Sequence, residues 1–328
     1  MRVLYLIQTF KNLPQIVRLV RVIRQSDPSG VVLISHNREA FILERAAFEG
    51  LTDVYIVNIS NGSRIDFSLP ASYLAALDYA QKIGLRFDWV INLTGQCYPV
   101  RPLREFVSSL EQSQVDAFID HRQVFDVQGR GGGIWPYDEA HGRYHYQYYW
   151  RLTRREPARV WRKVLGAMRV ALHKVQPWVR FDTSYALQIG LRDRSGIIGA
   201  TFPLFGGSYY MTLSYRAATY LCEFTRSHPN VVLHFSRMNV PSEVYPHTVL
   251  ANNPDLTLSG KQHFFIDVAH NERGLPCILT MKDLDRIAAS GAFFARKFDP
   301  AIDSTVLDWL DRRVLGTASG LPTDIQAS

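Results

Sequence analysis

Residues 3–37 read VLYLIQTFKNLPQIVRLVRVIRQSDPSGVVLISHN, and the order of patterns inside this stretch decides the fold class. Residues 3–9 form a short apolar run, read as a buried β-strand. Residues 14–24 then place Ile16, Val17, Leu19, Val20 and Ile23 at helical spacing. Gly30 breaks the chain, and residues 31–35 read as a second strand. The alternation continues outward. Residues 39–49 read as a helix closed by Gly50, 53–59 as a third strand, 72–83 as a helix closed by Gly84, and 89–93 as a fourth strand. Strands alternating with helices predict an α/β fold: a mainly parallel, Rossmann-type nucleotide-binding sheet covered on both faces. Ligands of such sheets sit beyond the carboxyl ends of the strands, which here are residues 8–11, 35–37, 58–63 and 94–98. No G-x-G-x-x-G follows the first strand and no G-x-x-x-x-G-K-[ST] occurs, so dinucleotide dehydrogenases and P-loop kinases are disfavoured.

The chain has 328 residues, 47% hydrophobic and 20% charged, enough for one large α/β domain or two small ones. One domain over residues 1–315 is expected, followed by a mobile tail over 316–328. The formal charge of +7 points to an anionic partner. Arg151, Arg154, Arg155, Arg159, Arg162, Lys163, Arg169 and Lys174 crowd one stretch. They read either as a solvated helix face or as a peripheral contact with a membrane or glycan-lipid. No nucleic-acid partner is expected, since no zinc-ligand spacing, zipper or RNP-like motif accompanies the charge. Cys97, Cys222 and Cys277 lack C-x-x-C spacing and read as reduced thiols. The apolar start MRVLYLIQTF is too short for a membrane span of about 20 residues. These features suggest a cytoplasmic protein, with any membrane association peripheral. Residues 129–180 are distinctive: Gly131, Gly132 and Gly133 precede Trp135, Tyr137, Tyr144, Tyr146, Tyr148, Tyr149 and Trp150. These aromatics suit either sugar-ring binding or a subsidiary core.

Three blocks carry a resemblance: WVINLTGQCYP (89–99), PLFGGSYY (203–210) running on to Pro241-Ser242-Glu243, and FARKFD (294–299). In this order and spacing the chain resembles the core-2/I-branching β-1,6-N-acetylglucosaminyltransferases and the related peptide xylosyltransferases. The resemblance implies a GT-A-like fold and inverting transfer of GlcNAc or xylose from a UDP-sugar, without a divalent metal or other cofactor. The acceptor would be a glycan or lipid-linked glycan, as in bacterial surface polysaccharide synthesis. In the place of the usual D-x-D metal motif this chain has Thr94-Gly95-Gln96, whose hydroxyl and amide are poor ligands for a hard cation. The literal D-x-D string Asp283-Leu284-Asp285 follows a strand-like run, 277–280, and reads instead as carboxylates in the first turn of a helix. Asp120-His121 is a weaker alternative metal site.

The resemblance also implies roles. Glu243 matches the catalytic glutamate, a general base for the acceptor hydroxyl. Lys297 matches a phosphate-binding lysine, with Arg273 and Arg296 as neighbouring candidates for the donor diphosphate. Gly206, Gly207 and Ser208 would lie against the bound sugars. Thr9, Ser35, His36 and Asn37 would hold the nucleoside, with Asp66 and Ser68 closing its pocket. Gln96, Trp135 and Phe265 are the acceptor-side candidates. The chain departs from the family pattern at Cys97, at Ser35-His36-Asn37 and at His263-Phe264-Phe265-Ile266-Asp267. The alternative from another class is a non-catalytic carbohydrate- or nucleotide-sugar-binding protein on the same fold.

Overall fold

The computed structural model describes residues 1–59, 62–125, 134–151, 175–183, 187–268 and 276–316. Arg273, Gly131–Gly133, the basic residues 154–174 and the tail beyond 316 lie outside the described residues.

The first strand, β1 (Val3–Thr9), has every residue buried. The chain then turns at Asn12, which sits at φ 59° and caps α1 (Leu13–Ser26) by accepting from the Gln15 N–H at 3.2 Å. Pro14 falls in the first turn, where a missing N–H is harmless. Ile16, Leu19, Val20 and Ile23 of α1 are fully buried, as their spacing requires. The strands β2 (Val31–Asn37), β3 (Val54–Ile59) and β4 (Trp89–Thr94) follow. β1 pairs in parallel with β2 and β4, and β2 with β3. The fold is therefore mixed α/β with a large, mostly parallel central sheet, as the alternating pattern predicts.

The chain continues with β5 (Cys97–Pro99), the helix α3 (Leu103–Glu111), β6 (Ala117–Phe118), β7 (Arg122–Gln123) and β8 (Tyr146–Arg151). They are followed by β9 (Val179–Asp182), β10 (Gln188–Arg192), β11 (Phe205–Gly206), β12 (Thr212–Ser214), β13 (Leu258–Ser259), β14 (Phe264–Ile266) and β15 (Phe294–Arg296). Among the described residues the central sheet has seven strands in the order β13-β6-β12-β4-β1-β2-β3, with β12 antiparallel to both neighbours. A three-stranded sheet, β14-β15-β5, abuts it, and a separate satellite sheet has the order β8-β10-β9. Apolar clusters pack on both faces of the central sheet. One holds Val3, Tyr5, Ile7 and α1; the other holds Leu4, Leu6 and α2 (Ser68–Lys82).

Three segments differ from the sequence expectation. Residues 39–49 are not a helix; only a 3-10 turn, Arg45–Phe48, forms. The Asn58 side chain accepts from the Leu43 N–H at 3.0 Å and donates to the Leu43 carbonyl at 3.2 Å, so a tertiary contact takes the groups a helix would need. α2 begins at Ser68, earlier than expected, because Pro70 is accommodated in its first turn. Residues 277–280 precede a helical turn but form no named strand. They run extended, with Cys277 N–H on Asp267 carbonyl at 2.7 Å and Leu279 N–H on Lys297 carbonyl at 2.9 Å. The aromatic stretch splits: Tyr144, Tyr146 and Tyr148 are buried, whereas Tyr137, Tyr149 and Trp150 are exposed. Among the described residues no helix is long and apolar enough to cross a membrane.

Candidate functional site

Parallel register places Gln8 beside both Ser35 and Thr94, and Thr9 beside His36, at the carboxyl ends of three adjacent strands. These ends floor a cleft of about 1250 Å³. The polar side chains of the floor hold one another. Gln8 donates to Ser72 Oγ at 2.7 Å and accepts from the Tyr209 hydroxyl. Thr9 Oγ1 and His36 Nδ1 are 2.7 Å apart, and the His36 ring packs on Phe41. Burial lowers the His36 pKa, which favours the neutral imidazole. Thr9, Ser35, His36 and Asn37 all line the cleft.

One wall is built by the glycine segment. Gly207 donates its N–H to the Glu243 carbonyl at 3.0 Å, and the Ser208 N–H donates to Asp120 Oδ2 at 3.0 Å. A Cβ on Gly207 would stand 2.0 Å from the Asp120 Cβ, so this backbone approach admits only glycine. His247, fully buried, bonds the Ser208 carbonyl through Nε2 at 2.9 Å and fixes the wall from behind. Glu243 ends a short turn, Pro241–Glu243, and its side chain is 14% exposed in the cleft. Its Oε1 takes Arg64 Nη2 at 2.5 Å and its Oε2 takes Arg143 Nη1 at 3.3 Å. Arg143 lies on α4 (Tyr137–Tyr144), binds Glu139 at 2.5 Å and sets its guanidinium 5.6 Å from the Trp135 ring centroid. Trp135 in turn packs against Gly206.

The opposite wall comes from the end of β15. The Lys297 backbone is tied on both sides, to Cys277 and Leu279. Phe298 N–H donates to the Gln96 carbonyl at 3.0 Å, while Gln15 and Gln96 side chains donate to the Phe298 carbonyl at 2.9 and 3.4 Å. The FARKFD and TGQC blocks, far apart in sequence, are thereby stitched together. Arg296 lays its guanidinium 4.9 Å from the Tyr210 ring centroid, and its buried Nε has no hydrogen-bond partner among the described residues. Lys297 and Arg296 both line the cleft, as do Lys11 and Arg122. Among the described residues, six basic ones (Lys11, Arg64, Arg122, Arg143, Arg296, Lys297) thus line the cleft with three acidic ones (Asp120, Glu139, Glu243), a balance that favours an anionic ligand.

Of the residues singled out in the sequence, Glu243, Lys297, Arg296, Thr9, Ser35, His36, Asn37, Gly207, Ser208, Gln96 and Trp135 converge on this cleft. Four do not line it. Asp66 accepts from the Ser68 N–H at 2.9 Å and from the Ser68 hydroxyl in the turn that leads into α2, and its other oxygen lies 3.6 Å from Arg151, so both residues are occupied in local structure. Gly206 lies behind Gly207, pressed on Trp135 and the Glu243 carbonyl. Phe265 lies on the other side of the β14 pleat from Phe264 and Ile266, which do line the cleft, and Arg286 covers its ring at 5.6 Å. Asp283 forms a capping box with Thr280, and its other oxygen takes Arg286 at 3.1 Å, so it is a helix cap. Cys97 is buried beside Thr94, its Sγ 3.3 Å from Thr94 Oγ1. Among the described residues no group of three or more His, Cys, Asp or Glu could hold a metal ion. Sequence reading missed Arg64, Arg143 and Glu139. Arg64 lies one residue beyond the strand-end window 58–63; Arg143 and Glu139 sit in the aromatic stretch with no local signal.

No known family model matches the chain. Over 126 residues it is 33% identical to the beta-glucuronosyltransferase GlcAT14B of Arabidopsis thaliana, which covers 37% of this chain and 28% of that protein. Over 130 residues it is 33% identical to the beta-glucuronosyltransferase GlcAT14A of the same plant, covering 38% and 28%. The chain therefore spans about 28% of the length of these curated relatives. The galactosyltransferase LgtC, solved with donor and acceptor sugar analogs, superposes with a TM-score of 0.37 at 8% identity, over 99% of this chain and 98% of that one. Mouse xyloside xylosyltransferase 1, apo form, gives a TM-score of 0.30 at 11% identity, over 76% and 80%.

Proposed function

We propose that the chain is an inverting, metal-independent glycosyltransferase that moves a sugar from a UDP-sugar to a hydroxyl of a glycan or lipid-linked glycan. The observation that carries this reading is the meeting of a carboxylate, Glu243, and a cation, Lys297, in one cleft at the carboxyl ends of parallel strands. Glycosyl transfer needs both. The acceptor oxygen attacks the anomeric carbon, its proton passes to a base, and the carbon–oxygen bond to the diphosphate breaks with both electrons leaving on UDP. Glu243 takes the proton. Each of its oxygens holds one guanidinium and has two lone pairs, which leaves an acceptor site for the hydroxyl. Lys297 and Arg296 stabilise the departing charge. Thr9, Ser35, His36 and Asn37 hold the nucleoside, and Trp135 and Gln96 face the acceptor.

Metal independence is supported by the donor set: Thr94-Gly95-Gln96 bring a hydroxyl and an amide to the floor, where a hard cation would need carboxylates. UDP-GlcNAc is the first choice of donor and UDP-xylose the second. The name of the Arabidopsis relatives adds UDP-glucuronic acid to the donors to be tried.

The test is thermal stabilisation by UDP and by each UDP-sugar, with EDTA and with added manganese. A ligand at 100 times its Kd raises stability by about 2.7 kcal/mol. Stabilisation in EDTA that is lost in Lys297→Ala is the expected result. No response to any uridine nucleotide would overturn the donor assignment, and a response that requires manganese would overturn metal independence.

A further inference from the structure

We infer that the satellite sheet β8-β10-β9 is a docking surface for an anionic lipid bilayer. The first observation is where the charge sits. Residues 151–194 contain eleven of the chain's 37 Lys and Arg but only three of its 30 Asp and Glu. This stretch alone carries +8 and the rest of the chain is close to neutral; seven of the eleven basic residues, between 154 and 174, lie outside the described residues, and the described sheet presents Arg192 and Arg194, with Arg237 beside Tyr149. The second observation is what the described part of this region exposes. Tyr149 and Trp150 on β8, Val175 and Trp178 on the approach to β9, and Leu191 on β10 are all exposed, with Trp150 and Trp178 each at 51%.

The third observation is how charge and aromatic surface are joined. The Arg194 and Arg192 guanidiniums lie 4.5 and 6.0 Å from the Trp178 ring centroid, and Arg237 lies 4.6 Å from that of Tyr149. The neighbouring Asp193 directs its carboxylate to the Ser195 N–H and hydroxyl, at 3.1 and 3.2 Å, and to His234. Amphipathic aromatics beside guanidiniums match the headgroup layer, where Trp and Tyr place ring and polar edge in different media. Exposed Val175 and Leu191 favour a lipid surface over nucleic acid, which offers no apolar layer to receive them.

The position of the sheet gives this contact a use. α4, which carries Glu139 and Arg143 of the Glu243 wall, runs through His145 directly into β8. A bilayer held on the sheet therefore lies on the acceptor side of the cleft, where a lipid-linked acceptor would enter. That last step rests on the transferase reading; the docking itself does not, since vesicle binding and turnover are measured separately.

The test is co-sedimentation of the full chain with phosphatidylcholine vesicles, with and without phosphatidylglycerol, at low and high salt. Binding that needs phosphatidylglycerol and weakens with salt is expected. Each basic residue near an anionic surface is worth about fivefold in affinity, so Arg192→Glu with Arg194→Glu lowers binding by at least about 25-fold. Trp150→Ala with Trp178→Ala lowers it by about tenfold. Melting midpoints of both variants are checked. If the tryptophan pair proves unstable, the exposed arginine pair decides alone. Absence of binding, or binding that neither variant weakens, overturns the proposal. So does tighter binding to heparin or single-stranded DNA than to anionic vesicles, which would assign the surface to a soluble polyanion.

Discussion

Replacing Glu243 by Gln keeps the shape of the side chain and removes its charge. Two guanidiniums would lose their anion, so the stability cost must be worked out before any activity loss is read as chemistry. The Glu243 and Arg143 side chains are 14% and 9% exposed, and breaking so buried a pair ordinarily costs about 3–5 kcal/mol. Two features lower the figure here. Arg143 keeps Glu139 at 2.5 Å, so it is not stranded. Arg64 is 38% exposed and can turn to water. The loss is then that of one charge-assisted hydrogen bond, about 1.5–3 kcal/mol, which leaves the protein folded. Turnover responds quite differently. Loss of a positioned general base costs about 10²–10⁴ in rate. The assay is UDP release from the donor that stabilises the wild type, read beside thermal stabilisation by UDP. Turnover down by at least about 100-fold with UDP binding intact is the expected result. Turnover within tenfold of wild type, with UDP still bound, would refute Glu243 as the base. Parallel loss of UDP binding would assign it a structural role.

Three further outcomes are expected. Lys297→Ala should leave the melting midpoint of the free protein unchanged and abolish stabilisation by UDP; retained stabilisation would remove Lys297 from the donor site. Gly207→Ala should destabilise by about 1–3 kcal/mol, since overpacking forces side chains or backbone aside, and here the new Cβ meets Asp120 at 2.0 Å; a wild-type urea midpoint would contradict the described wall. Burial lowers the pKa of His247 and of His263 to about 4. The unfolded chain, with histidines near 6.5, binds more protons between these values, so their contribution to stability is complete above pH about 6.5 and is lost as pH falls towards 4. Urea midpoints that fall with pH over this window, less steeply in His247→Gln, are expected, and identical slopes in the two proteins would refute the assignment.

The residue order by itself determined the first four strands and α1, because an apolar run or a helical stripe is a short-range pattern that burial selects directly. It also pointed to the strand ends at residues 8–11, 35–37 and 94–98, of which residues 8–11, 35–37 and 94–96 line the cleft. The missed elements have a common cause. Residues 39–49 carry a helical composition, yet Asn58 takes the Leu43 backbone groups from another strand. Phe265 was picked from its segment, but pleat parity on β14 turned Phe264 and Ile266 to the cleft instead. Asp66 and Ser68 were spent on the turn that leads into α2. The two arginines on Glu243 come from 179 and 100 residues away in sequence. No local period encodes such a meeting. It exists because the crossovers of a parallel sheet bring the loops after β3, the α4 helix and the Pro241–Glu243 turn to one rim. Which segments fold into strands was decided by patterns a few residues long; which side chains face one another across the cleft was decided only when the sheet assembled.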